Sequence, residues 1–89
     1  MIQQDCTAVA DVLSDGPDPS SDSIGYAQAQ VLPLRQLKIT DAVLHRAVLA
    51  LAASYQAFST GAGAGSSAAA LKVSKAENAV NAICPQAAP

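Results

Sequence analysis

The sequence has no tryptophan, one histidine and two cysteines, and aromatic residues make up only 3% of it. Structural zinc sites take four ligands, mostly cysteine and histidine, so the usual zinc ligand sets cannot be assembled. One histidine without a nucleophile motif does not support a serine–histidine–aspartate arrangement. The glycines Gly61, Gly63 and Gly65 lack the Gly-Lys-Ser/Thr end of a phosphate-binding loop. We therefore expect a protein that is not an enzyme and that uses no cofactor and no metal.

Long apolar runs and an excess of basic residues are also missing. The longest apolar stretch, residues 47–53, is far shorter than the roughly 18 residues that a membrane-spanning helix needs. The net charge is −2 at pH 7, whereas nucleic-acid-binding domains usually carry a basic face. These absences predict no membrane span and no nucleic-acid partner.

The charges that are present are unevenly distributed. Residues 1–22 contain five aspartates and no lysine or arginine, whereas residues 23–89 contain five basic residues against two acidic ones. We interpret this asymmetry as intramolecular complementarity between the first segment and the rest of the chain.

The two cysteines, Cys6 and Cys84, lie almost at opposite ends of the chain. They could form a disulfide or be two unrelated buried thiols, and the helix layout described below favours the disulfide. Closing a loop of this length contributes about 4.5 kcal/mol in the chain-entropy model, comparable to the whole stability of a small domain. Because disulfides form in oxidising compartments, we expect a secreted, periplasmic or cell-envelope protein. No signal peptide precedes Cys6, so an exported chain would be present here in its mature form.

Apolar residues recur at helical spacing in four segments. The strongest stripe is Leu44, Val48, Leu51, Tyr55 and Phe58, which fall on one face of a single helix. The predicted helices cover residues 3–14, 24–37, 41–59 and 67–84 of one helical domain, followed by a frayed tail at 85–89.

Loop and capping residues mark the ends of these helices. Residues 15–22 contain two prolines and a glycine without any apolar residue, which is typical of a loop. Pro33 falls within the second predicted helix and should either end it or kink it. The predicted N-caps are Asp22 or Ser23 for the second helix, Thr40 for the third, and Ser66 or Ser67 for the fourth.

Four helices with short connections predict an all-α fold, a four-helix bundle, or three helices with a kinked segment if Pro33 interrupts the second. In an up-down-up-down bundle the first and last helices are antiparallel neighbours. Cys6 in the first turns and Cys84 at the last residue would then lie side by side, so one terminal disulfide should close the bundle.

Three aspartates of the loop, Asp15, Asp18 and Asp22, raise the question of a calcium site. Their spacing does not match a calcium-binding EF-hand loop, and no glutamate follows at the required position. A solvated acidic loop is the better interpretation.

The layout of an early cysteine in a helix (residues 6–10), a helical middle and a late cysteine followed by proline (residues 82–85) resembles a group of small secreted proteins. These are the two-cysteine helical proteins of mycobacteria and their relatives, some of which are grouped as haemophore-like. The resemblance implies an exported helical protein, with haem as a ligand for some members. Tyr55 and His45 are the haem-ligand candidates here, although neither matches a known ligand position and Tyr55 also fits the apolar core.

Two functions remain open from the sequence. The first is a non-catalytic secreted protein that acts through contacts with an unknown protein partner at the cell envelope or outside the cell. The second is a carrier of a small apolar ligand, such as haem or lipid, between helices that pack around Tyr55 and Phe58.

Overall fold

The computed structural model describes residues 2–61 and 63–89, and within them the chain forms four α-helices and no β-strand. The predicted all-α class and the four-helix bundle are confirmed. No helix in this part of the chain combines the length and the apolarity that crossing a bilayer requires. The helices are α1 (Ile2–Leu13), α2 (Ser23–Gln36), α3 (Ala42–Thr60) and α4 (Ser67–Ile83).

Three of the helices begin at a side chain that caps the first turn. Asp22 caps α2 and Ser66 caps α4, each accepting a hydrogen bond from the backbone N–H three residues later, at 2.9 and 3.1 Å. The cap of α3 is Asp41, whose carboxylate accepts from the N–H three residues later at 2.8 Å. Thr40 was therefore the wrong prediction for this cap, because its hydroxyl donates to Asp5 instead.

Pro33 lies inside α2, three residues before the helix ends. Proline has no N–H, so the carbonyl of Ala29 loses its usual helical donor at this point. The helix nevertheless continues to Gln36, so Pro33 does not end it.

The core is built on α3, which lies between α2 and α4 and packs against both. The stripe predicted for α3 is buried from Leu44 to Tyr55, and Phe58 at its end is half-buried. In α2 the apolar Ile24 is 42% exposed, whereas the polar Gln30 is buried. The buried apolar residues are Val9, Leu13, Tyr26, Ala27, Leu34, Leu44, Val48, Leu51, Ala52, Tyr55, Val80, Cys84 and Ala88.

The first helix packs against the bundle differently from the expected arrangement, in which α1 and α4 are close neighbours. Its principal helix contact is with α2, and it makes no more than a marginal approach to α4. The Cys6–Cys84 disulfide joins α1 to the end of α4, and the Cα atoms of the two cysteines are 5.4 Å apart. The predicted disulfide is thus confirmed, whereas α1 does not pack closely along α4 as expected with it.

The space beside α1 is occupied by the residues that follow α4. Ala10 and Leu13 of α1 line a shared groove with Ala87 and Ala88. These alanines fold back against the core instead of fraying, and Ala88 is buried. The reversal passes through Gln86, whose φ of 65° is in the left-handed region.

An aspartate in α1 makes the polar contact that ties this helix to the α2–α3 connection. The buried carboxylate of Asp5 accepts hydrogen bonds from the N–H and the hydroxyl of Thr40, at 3.1 and 3.0 Å, and from the N–H of Asp41 at 3.2 Å. Burial by itself raises the pKa of Asp5, but the hydrogen bonds from Asp41 and Thr40 outweigh it and hold the pKa below its usual value.

The hydrogen bonds that join residues 2–22 to the later helices use neutral donors in the described part of the chain. Besides those of Asp5 and the capping bonds to Asp22, they run from the hydroxyl of Tyr26 to the carbonyl of Leu13 and from the amide of Gln30 to the carbonyl of Asp15. None of them involves lysine or arginine. These hydrogen bonds therefore give no support to the interpretation of the charge asymmetry as intramolecular complementarity.

Candidate functional site

A pocket of about 390 Å³ opens between α2, α3 and α4. Its mouth is formed by the loop before α2 and by the last residue, Pro89, and its walls are mostly apolar. This size is at the lower end of the range for small-molecule sites. The lining residues are Pro19, Ser20, Ser23, Tyr26, Ala27, Tyr55, Phe58, Ala70, Val73, Ser74, Glu77 and Pro89, and we call this cavity the aromatic pocket.

The aromatic pocket collects all the aromatic residues of the protein. The sequence contains two tyrosines, one phenylalanine and no tryptophan, and Tyr26, Tyr55 and Phe58 all line this cavity. The two tyrosine rings meet edge to face, with centroids 5.8 Å apart and planes at 89°. This is one of the preferred geometries for an aromatic pair, so the rings support each other in the wall of the cavity.

Each tyrosine hydroxyl donates its proton to a defined acceptor. The hydroxyl of Tyr26 donates to the backbone carbonyl of Leu13, which links α2 to the end of α1. The hydroxyl of Tyr55 donates to Oε2 of Glu77 at 2.7 Å, which links α3 to α4. A buried tyrosine normally satisfies its hydroxyl in this way, and one of the two partners, Glu77, itself lines the pocket.

Burial shifts the ionisation of this cluster toward the neutral forms. It raises the pKa of Glu77 above its usual value, against the opposing effect of the hydrogen bond from Tyr55. The pKa of Tyr55 is raised strongly, first by burial and then by the hydrogen bond to Glu77 and its charge. The pKa of Tyr26 is also raised, mainly by burial, which outweighs the lowering effect of the neighbouring Tyr55 hydroxyl, and further by the negative charge of Glu77. Both hydroxyls are therefore protonated at neutral pH.

The two haem-ligand candidates do not lie together. His45 and Tyr55 are ten residues apart on α3, which places them about 15 Å apart along the helix axis. His45 lies in the first turn of α3 and does not line the aromatic pocket, whereas Tyr55 does and already donates to Glu77. They cannot bind one iron from the two faces of a haem.

The cysteines lie outside the aromatic pocket. Cys6 and Cys84 line a separate shallow depression between the start of α1 and the end of α4. Their bond closes the fold and leaves no thiol for chemistry, since neither cysteine of the chain is free.

The acidic loop offers no metal site in the described residues. Asp18 accepts hydrogen bonds from the N–H and the hydroxyl of Ser20, at 2.9 and 2.7 Å, and Asp22 caps α2. Across residues 2–61 and 63–89 no three histidine, cysteine or carboxylate side chains converge as metal ligands would. The loop instead shapes the mouth of the aromatic pocket through Pro19 and Ser20.

Sequence reasoning missed Glu77, the residue that gives the pocket its chemistry. The sequence does carry a signal for it, because Val73, Glu77, Val80 and Cys84 follow one another at spacings of four, three and four. A carboxylate at such a position of an apolar helix stripe faces the interior of the bundle. Charged side chains are seldom buried without a partner, so the position itself indicates a polar site.

No protein-family model, no curated protein and no solved structure matches the chain. The resemblance to haemophore-like proteins therefore stays a prediction, and the site has to be interpreted from its own chemistry.

Proposed function

We propose that the protein binds a small, mostly apolar organic molecule in the aromatic pocket and carries it without transforming it. The observation that supports this best is the gathering of Tyr26, Tyr55 and Phe58, all the aromatic residues of an aromatic-poor chain, around one cavity. Aromatic walls with a few polar groups are typical of small-molecule sites.

The size of the pocket sets the size of the ligand. At the roughly 30 Å³ that one water molecule occupies in the liquid, a cavity of about 390 Å³ holds about a dozen non-hydrogen atoms. This suits a short alkyl chain or a one- or two-ring compound better than a macrocycle. Of the two ligands that the sequence raised, a short lipid-like chain therefore fits the proposal better than haem.

The polar groups support binding and give no support for catalysis. The tyrosine hydroxyls are protonated and already hydrogen-bonded, so they are poor nucleophiles, and the disulfide leaves no thiol. The disulfide also favours an oxidising compartment, so we propose that the carrier works outside the cytoplasm.

Contacts with a protein partner, the other function that the sequence left open, have weaker support. Large apolar side chains such as Leu32 (63% exposed) and Leu71 (60% exposed) do reach the surface. Six such residues among those the structure describes are distributed over all four helices, and single exposed apolar residues are normal on any protein. The aromatic residues are gathered around one pocket, whereas these exposed apolar residues form no single patch.

Because both tyrosines line this pocket and the chain has no tryptophan, its tyrosine fluorescence reports on the pocket, and its near-ultraviolet circular dichroism reports on the same rings together with the disulfide. We expect both signals to change saturably when a ligand of about ten non-hydrogen atoms, such as 1-octanol, is titrated. Ala70→Phe adds bulk to a pocket-lining position and should weaken binding at least tenfold. Ala68→Phe makes the same change at an exposed position of α4 that does not line the pocket, and should leave binding unchanged. Equal binding by both variants would contradict the proposal.

A further inference from the structure

One side chain in the lining of the aromatic pocket is charged. Among the described residues that line it, only Glu77 has a charged side chain. The lysines closest to it in sequence, Lys72 and Lys75, line a different groove between α3 and α4, beside Ala50 and Ala53. The half-buried carboxylate therefore faces the pocket without a lysine or arginine of its own in the lining.

The hydrogen-bonding capacity left inside the pocket is that of acceptors. Tyr26 and Tyr55 have each used their one hydroxyl proton, on Leu13 and on Glu77, and retain only oxygen lone pairs. Glu77 as a carboxylate accepts and cannot donate, and the hydrogen bond from Tyr55 reaches only its Oε2. The side chains that can still donate are serines at the exposed mouth, such as Ser23 and Ser74. A ligand that forms hydrogen bonds with these interior acceptors must therefore carry hydrogen-bond donors.

The N-terminus of α2, which lies near the mouth of the pocket, does not provide free hydrogen-bond donors for an anion. The N-terminus of α2 would attract an anion, because its first N–H groups point toward the end of the helix. Here the carboxylate of Asp22 already caps that end and accepts from Gly25. The helix end is thus supplied with its own negative charge.

We infer that the ligand is an organic cation, a protonated amine with an apolar body, whose ammonium group binds Glu77 and the hydroxyl oxygens of Tyr26 and Tyr55. This inference rests on the proposed function and names its ligand class. An ammonium group brings three donors and no acceptor, which complements the three acceptors of the pocket. Its hydrogen bond to a carboxylate is charge-assisted, and aromatic faces such as that of Phe58 attract cations as well.

Three probes with the same carbon chain and different head groups test the inference. Isothermal titration calorimetry at pH 7 would compare octylammonium, 1-octanol and octanoate on the intact, oxidised protein. We expect octylammonium to bind at least tenfold more tightly than 1-octanol, and octanoate to bind most weakly. Glu77→Gln keeps the shape and an oxygen that can accept from Tyr55, and should remove the preference for the ammonium head. Asp11→Asn removes the same charge from an exposed site outside the pocket and should keep that preference.

The outcomes separate this inference from the proposed function. If octanol and octylammonium bind equally, or octanoate binds most tightly, the pocket binds apolar molecules but the cationic ligand is wrong. If the preference persists in Glu77→Gln, the carboxylate is not what recognises the head group. If no probe binds, the proposed function fails and the inference fails with it. Should Glu77→Gln not fold, as judged by its helical circular dichroism, the ranking of the three probes on the wild-type protein still decides.

Discussion

The first helix and the other three are held in the molecule by different forces. Helices α2, α3 and α4 hold one another through apolar side chains along α3, with Leu44, Val48 and Leu51 among the fully buried ones. Helix α1 buries Val9 and Leu13 but packs less extensively on its neighbours, and a disulfide and a few hydrogen bonds attach it. A small domain can therefore combine a packed core with an element that depends on individual attachments.

The attachments of α1 are few enough to be removed one at a time. Cys6 ties its start to the end of α4, Asp5 binds the connection before α3, and the carbonyl of Leu13 accepts from Tyr26. The loop after α1 is held by Gln30, whose Nε2 donates to the carbonyl of Asp15 at 2.7 Å. The Oε1 of the same Gln30 is buried with no partner in the described residues, so this last contact is only half satisfied.

Removing the disulfide should have the largest effect. We expect Cys6→Ser with Cys84→Ser to lower the free energy of unfolding by about 2–5 kcal/mol, because the bond closes a loop with a sequence separation of 78 residues. In hydrogen exchange, amides of α1 should lose more protection than those of α3, which keeps its apolar contacts. Urea unfolding followed by circular dichroism measures the first quantity. Two titratable thiols in the unreduced, denatured wild-type protein would show instead that the bond is not formed.

A cavity in the core should lower the free energy of unfolding by nearly as much as loss of the disulfide, but it should affect different helices. Leu51→Ala removes a fully buried side chain from α3, for which about 3 kcal/mol is typical. Because α3 contacts both α2 and α4, we expect protection to fall across all three helices together. Leu49→Ala, at a position of the same helix that is 40% exposed, is the matched control and should cost much less. Equal effects of the two changes would argue against the assignment of the core.

Two carboxylates, one in each region, should respond to pH in opposite ways. Asp5 has a pKa below its usual 3.8, so its contribution to stability is present above that value and is lost as the pH falls through the lower folded pKa. Glu77 has a pKa above its usual 4.5, so the folded state binds its proton more strongly, and stability falls as the pH rises through the folded pKa. The number and kind of donors explain the difference: Asp5 accepts from two backbone N–H groups and a hydroxyl, whereas Glu77 accepts from one phenol.

Thermal unfolding between pH 3 and pH 7 measures both contributions. Asp5→Asn should be less stable than the wild type near neutral pH, and the difference should shrink as the pH approaches 3. The stability of Glu77→Gln should increase relative to that of the wild type as the pH rises above about 4.5. Parallel pH profiles for the two variants would contradict the opposite shifts.

Much of the fold follows from patterns that are local in the sequence. The stripe from Leu44 to Tyr55 and the Asp22 and Ser66 caps are visible in the printed chain, and the structure contains each of them. The disulfide is not local, but it could be predicted because Cys6 and Cys84 are the two cysteines of the sequence. Helix periodicity and capping need only neighbouring residues, so these features can be predicted.

The features that escaped prediction depend on distant residues. Thr40 has the chemistry of an N-cap, and only the arrival of Asp5 from α1 explains why it donates elsewhere. Glu77 is predictable as an inward position, but its partner Tyr55 is set by how α3 and α4 pack. Periodicity does not tell which helices pack most closely, so the principal contact of α1 with α2 could not be predicted from it.

The smallest expected effect concerns the tail, a further attachment between the end of α4 and the surroundings of α1. The side-chain amide of Asn81 both accepts from the N–H of Ala88, at 2.8 Å, and donates to its carbonyl, at 3.3 Å. Because a typical hydrogen bond adds about 1 kcal/mol net and the longer of these two is weak, we expect Asn81→Ala to lower the free energy of unfolding by about 1–2 kcal/mol. Asn78→Ala, at an exposed position of the same helix, should leave stability within about 0.5 kcal/mol of the wild type. Hydrogen exchange at the Ala88 amide is the sensitive readout, since it should speed up in Asn81→Ala while the amides of α3 keep their rates. Unchanged exchange at Ala88 would mean that the tail is held by the burial of its alanines beside α1, and the polar contact would then be incidental.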